Sequence, residues 1–319
     1  MSTVIPPGVE PPPDVARVQD AWLARGRFVT LAEGHRIFTV QEGRGSDLVL
    51  VHGFPSTSHD FAAVLPFFKE RFRVTTFDHL GFGFSDKPAG ETSYSLLDQG
   101  RRAGEVLRAL GVERARLAGH DMGLTVAVEM LCRQEAGELG VTIEELVLSN
   151  GSHLVELAHL TPFQRAIMTD DGAAAFGSTF DPEQFAAALR FVWADPSRTP
   201  EVDIRAIAYW MARGGGLDVL GRIARYNIER TQYADRWRSI FARHRVPVRV
   251  VWGDRDPIAV LEIGRRLAEM SGGPLVILEG VGHYSQMEAP QAWAEAVVGS
   301  RGAPSSTSST APASTTRPR

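Results

Sequence analysis

Short apolar runs alternate with longer stretches of helical period over most of this 319-residue chain. Arg27–Leu31 and Arg36–Gln41 alternate apolar and polar positions around Glu33-Gly34, which predicts an antiparallel hairpin at a sheet edge. Leu48–Val51, Val74–Phe77, Arg116–Ala118, Leu146–Leu148, Val248–Trp252 and Leu275–Leu278 are short runs rich in Val, Leu and Ile. Such runs suit strands buried on both faces of a parallel sheet. Between them, Ser95–Leu110 places Leu96, Ala103, Val106, Leu107 and Leu110 at helical spacing before Gly111. Strand and helix in this order predict an α/β fold with a mostly parallel, doubly wound sheet.

The alternation stops at Gly151. Up to about Arg245 only helical patterns appear: Asp181–Trp193, Glu201–Arg213, Leu217–Arg230 and Ala234–Arg243. A helical block inserted between two strands is expected to lie as a lid over the C-terminal sheet edge, where such folds bind ligands. The expected organisation is a core of residues 21–150 and 246–300 and a helical cap of 151–245. A proline-rich, flexible lead-in (1–20) and a disordered tail (301–319) of mostly Ser, Thr, Ala, Pro and Arg flank them.

Composition narrows the function classes. A net charge of -4 gives no reason to expect nucleic acid or an anionic membrane as partner. The single cysteine, Cys132, excludes an intramolecular disulfide framework and fits a cytoplasmic address, as does the absence of a basic and apolar leader at the N-terminus. No run approaches the roughly 18 apolar residues of a membrane span. Oligomeric state leaves no mark in the sequence.

The candidate chemistry sits at strand ends. Gly119-His120-Asp121-Met122-Gly123 follows one apolar run and precedes a helix-forming stretch. This is the strand–turn–helix context of a nucleophile elbow, with aspartate where G-x-S-x-G has serine. His52-Gly53-Phe54-Pro55 follows Leu48–Val51; in such an arrangement the N–H groups of Phe54 and Met122 form an oxyanion hole. Trp252-Gly253-Asp254-Arg255-Asp256-Pro257 offers two carboxylates, Asp254 and Asp256, to orient a histidine, and Gly282-His283 follows the next strand. Nucleophile, acid, histidine is the chain order of the triad in hydrolases of this architecture. An aspartate is ionised at neutral pH without a base. It attacks esters poorly, because the alkoxide leaves worse than the carboxylate returns. An sp³ carbon bearing an epoxide oxygen or a halide suits it. The product is an ester of Asp121, which water activated by His283 then cleaves. No metal or cofactor enters this chemistry, and its substrate is a small apolar organic molecule with water.

These motifs, with FDHLGFGFSDKP at Phe77–Pro88, WGDRDP at Trp252–Pro257 and GHY at Gly282–Tyr284, resemble the epoxide hydrolase and haloalkane dehalogenase branch of the α/β-hydrolase superfamily. HGFPSTSHDF, SYSLLDQ and LSNGSH are similar to the subgroup that includes mesoderm-specific transcript proteins. The resemblance implies Asp121 as nucleophile, His283 as base and Asp256 as the orienting acid, with Phe54 and Met122 as oxyanion donors. It further suggests Tyr226, His52, His120, Trp193 and Trp210 around the substrate. Met122 stands where dehalogenases of this branch carry a halide-holding Trp, which favours epoxide hydrolysis. Trp193 or Trp210 would have to supply that donor for dehalogenation. Tyr226 resembles one phenol with which epoxide hydrolases hold the epoxide oxygen; the other has no evident match near Met168, Thr169 and Asp170. A ligand-binding protein on a hydrolase scaffold is the alternative from another class, and turnover separates it from an enzyme.

Overall fold

The computed structural model describes residues 9–299. The tail 301–319 and residues 1–8 of the lead-in lie outside them.

Eight strands form one sheet: β1 (Arg27–Thr30), β2 (Arg36–Gly43), β3 (Ser46–Val51), β4 (Phe72–Phe77), β5 (Arg114–His120), β6 (Thr142–Ser149), β7 (Val248–Gly253) and β8 (Leu275–Leu278). Their spatial order is β1-β2-β4-β3-β5-β6-β7-β8. The β1–β2 hairpin and the β2–β4 pair are antiparallel, and every pair from β4 to β8 is parallel. The LVLV run of β3 shows why its pattern is continuous rather than alternating. Leu48 and Leu50 enter one core cluster, Val49 and Val51 the other, so both faces of the strand are buried.

Parallel pairing aligns the strand ends. Val51 pairs with Gly119, His120 with Ser149, Ser149 with Val251, and Gly253 with Leu278. The loops that carry Phe54, Asp121, Asn150, Asp256 and His283 therefore leave the same edge of the sheet.

Between β6 and β7 the described residues contain helices and no strand. The longer ones are Asp170–Ser178, Pro182–Leu189, Glu201–Ala212 and Gly216–Ala224. Thr161, Thr169 and Asp181 cap successive helices by accepting backbone N–H groups on their side chains. The single helix expected over Leu217–Arg230 is two, broken at Arg225, which leads into Tyr226–Gln232. No helix among the described residues is long and apolar enough to cross a membrane.

One expectation is corrected. Residues 13–20, assigned to a flexible lead-in, belong to the helix Pro13–Leu23, which buries Val15, Gln19 and Trp22. Proline is well tolerated at the first helical position, where its missing N–H would be unpaired anyway. The buried face joins Ala206, Tyr209 and Trp210 in a core cluster, and Arg205 bonds Asp14 at 2.5 Å.

Candidate active site

The turn from β5 into the helix Met122–Glu135 forces Asp121 to φ 50° and ψ -114°, a conformation that L-residues rarely adopt. Strain of this kind costs about 1–3 kcal/mol and persists only where the surroundings enforce it. Glycine is required on both sides of the contact. A Cβ on Gly123 would collide with the Val51 carbonyl, and one on Gly53 would collide with the Asp121 side chain. The carboxylate thus sits at the positive end of a 14-residue helix. The Phe54 N–H donates to its Oδ2 at 2.8 Å. Arg230, fully buried, donates from Nη2 to the Asp121 carbonyl at 3.1 Å and fixes the turn from the other side.

His283 Nε2 lies 4.0 Å from Asp121 Oδ1, and its Nδ1 is 2.7 Å from Asp256 Oδ2. Asp256 also accepts from Asn150 Nδ2 at 2.9 Å and from the Ile258 and Ala259 N–H groups at 2.8 and 2.9 Å. Burial pushes the Asp256 pKa up, but the charge and hydrogen bond of His283 and the donors around it outweigh burial, so the net shift is downward. Burial alone would lower His283; Asp256, then Asp121, overcome it and raise the imidazole to about 9. Asp254 does different work: its Oδ1 caps the turn by accepting the Gly280 N–H at 2.7 Å.

A cavity of about 540 Å³ opens over Asp121 and His283. Phe54, Phe163, Phe176, Phe180, Phe185 and Leu189 give its walls their apolar character, and Tyr284 and Ile258 complete the floor. Phe191 lines it too and is 49% exposed.

The remaining expected residues divide. Tyr226 packs on Phe54, with centroids 5.5 Å apart, but is not among the lining residues. Its hydroxyl is buried without a hydrogen-bond partner among the described residues. Gln164, Asn227 and the charge of Asp121 are its polar neighbours. His52 and His120 stand behind the cavity rather than in it. His52 accepts the His79 N–H on Nε2 at 3.0 Å, so its Nδ1 carries the proton toward the Gly53 carbonyl at 2.8 Å. His120 donates from Nε2 to the His283 carbonyl at 2.8 Å. Burial first, then the charge of a neighbouring histidine, lowers both, His120 to about 4, so both rings are neutral braces for the turns. Trp193 stacks on Tyr284 at 4.7 Å without lining the cavity. Trp210 is a correction: its helix turns it toward His59 and Phe84, at 5.0 and 5.8 Å, into the core that holds Pro13–Leu23. Neither indole lines the cavity.

Sequence reasoning assigned no role to Asn150. It adopts φ 32°, bonds Asp256, and accepts the Gly253 N–H on Oδ1 at 2.9 Å, tying β6 to the loop after β7. The available signal was its place two residues after the predicted strand Leu146–Leu148.

A family model for the alpha/beta hydrolase fold matches residues 48–290. The chain is 33% identical over 292 residues to LipZ of Mycobacterium tuberculosis, whose name calls it a hydrolase, covering 87% of this chain and 96% of that protein. It is 30% identical over 303 residues to the mesoderm-specific transcript protein of Mus musculus, covering 91% and 89%. A crystal structure of an alpha/beta hydrolase fold protein from Burkholderia ambifaria superposes with a TM-score of 0.67 at 28% identity, covering 86% of this chain and 99% of that one.

Proposed function

The chain belongs to the α/β-hydrolase fold family, and from that premise we propose that it hydrolyses epoxides to diols through a covalent ester on Asp121. Hydrolase chemistry comes with the family; the choice of reaction rests on one observation. The side chain at the elbow is a carboxylate that already receives the Phe54 N–H.

In this reading an Asp121 oxygen attacks the epoxide carbon, and a phenol protonates or holds the departing oxygen. Tyr226, the phenol expected from the sequence, is buried beside Phe54 but does not line the cavity. Esterification removes the negative charge of Asp121. His283, which that charge helps keep protonated, then becomes a better base. It deprotonates water, which attacks the Asp121 carboxyl carbon, and the Phe54 and Met122 N–H groups receive the oxyanion; one such donor is worth about 3–4 kcal/mol of barrier. Asp256 holds the ring and balances the imidazolium. The helical segment 151–245 is the cap in this scheme, since Thr161–Val192 supplies most of the apolar wall.

The test separates the two steps. His283→Gln with styrene oxide should accumulate an adduct on the peptide that contains Asp121, one substrate heavier, and Asp121→Ala should abolish it. In the native enzyme, single turnover in oxygen-18 water should label the Asp121 carboxylate. Label in the diol alone would sink the ester mechanism. Benzyl bromide run alongside gives an adduct of different mass and asks whether halide chemistry shares the site.

A further inference from the structure

Opening an epoxide leaves charge on oxygen, so the cavity must present an acid to it. Among the described residues one phenol lines the cavity with Asp121 and His283, and it is Tyr284 rather than Tyr226. Its ring is held flat on Trp193, 15° from parallel, and edge-on to His283 at 5.4 Å. Behind it stands a polar chain that the hydrolysis of the ester does not use. Ser56 is the polar side chain whose hydroxyl acts on the Tyr284 phenol, lowering its pKa against the effect of burial, and Ser56 Oγ is bonded in turn to Asp60 Oδ2. Asp60 is 1% exposed, no cation pairs with it, and its Oδ1 has no hydrogen-bond partner among the described residues.

We propose that Tyr284 gives the epoxide oxygen its proton, and that Ser56 and Asp60 resupply Tyr284. The inference rests on the epoxide reading above and adds the acid that reading needs. Desolvation makes an unpaired, buried carboxylate costly, so Asp60 is held as the neutral acid and has a proton to give. Its surroundings agree. Burial raises its pKa well above the carboxylate range, and the charges of Asp121 and Asp78 add to the rise. The Ser56 hydrogen bond and the charge of His283 oppose them.

The protons balance. As the Asp121 oxygen–carbon bond forms and the ring C–O bond breaks, the oxygen takes the Tyr284 proton. Ser56 reprotonates Tyr284, and Asp60 reprotonates Ser56 and becomes a carboxylate. The imidazolium of His283, no longer opposite a charged Asp121, gives up the proton that restores Asp60. In the hydrolytic step neutral His283 takes a proton from water and passes it to the leaving diol oxygen. The acid left on Asp121 then returns its proton to His283.

Halide leaves as an anion and needs no proton, which gives the control. Adduct formation on Asp121 is followed in the His283→Gln background with styrene oxide and with benzyl bromide. Adding Tyr284→Phe should slow the epoxide reaction about a hundredfold and leave the bromide reaction within about twofold. Asp60→Asn should slow the epoxide reaction as well. The parent rate should decline as pH rises and Asp60 ionises, and Asp60→Asn should remove that decline. Equal slowing with both probes would mean that Tyr284 only shapes the site. An unchanged epoxide rate, or a rate that falls with Tyr226→Phe alone, would overturn the assignment. A parent alkylated by the bromide but never by the epoxide would overturn the epoxide reading, and no adduct with either would overturn the nucleophile itself; the proposal falls with them.

Discussion

At the residue scale, the behaviour of the site follows from the carboxylates that surround His283. Its pKa in the folded chain, about 9, stands above the ordinary 6.5. The stability it contributes is therefore complete below pH 6.5 and lost as pH rises through 9. Asp256 runs the other way: its net lowering contributes stability above 3.8 that fades as pH falls. Thermal melts between pH 6 and 10 should show the native enzyme losing melting temperature relative to His283→Gln. A parallel decline would refute the linkage. Asn150 gives a second expectation. Asn150→Gly keeps the backbone free at φ 32° but strips Asp256 of a donor and leaves the Gly253 N–H unpaired. The cost should be about 1–3 kcal/mol by urea unfolding. Ester hydrolysis should slow while alkylation of Asp121 does not, seen as adduct building up during turnover.

At the scale of elements, the sheet was readable and the first helix was not. Val and Leu runs ended by Gly or Asp told where parallel strands stop, because a strand buried on both faces tolerates few polar residues. That is why Asp121, Asp256 and His283 could be placed at one edge from sequence. Pro13–Leu23 was hidden by its own start: five prolines from Pro6 to Pro13 read as extended chain, although Val15 and Trp22 share one helical face at i and i+7. Trp210 was misplaced for a related reason. Helical period identifies a buried face without saying which neighbour covers it, and here the neighbour is that unseen helix. Trp22 is 2% exposed, edges onto His59 at 5.2 Å and donates to Ser58 Oγ at 3.1 Å. Trp22→Ala should cost about 3–5 kcal/mol in urea unfolding. A cost under 1 kcal/mol would mean that the helix adds little to the fold.

Across the whole molecule, the cavity takes most of its apolar wall from the helical segment between β6 and β7. Phe163, Phe176, Phe180 and Phe185 touch one another with centroids 4.7–6.0 Å apart. None was legible as a cavity residue, since a phenylalanine stripe on a helix looks the same whether it faces a core or a substrate. Phe176→Ala should raise KM for styrene oxide about tenfold, with kcat within about twofold, because an apolar wall binds substrate and transition state alike. A fall in kcat with KM unchanged would mean that the ring acts on the reacting atoms.

The docking of the first helix also imposes an order on biosynthesis. Asp14 meets Arg205, 191 positions further along the chain. While a ribosome makes the chain from its N-terminus, Val15 and Trp22 have no Tyr209 or Trp210 to cover them until most of the inserted segment has emerged. At about 5–20 residues per second this wait lasts roughly 10–40 s. Ser58 and His59 can cover part of Trp22 early, but the clasp that joins the N-terminal helix to the inserted segment is among the later contacts to close.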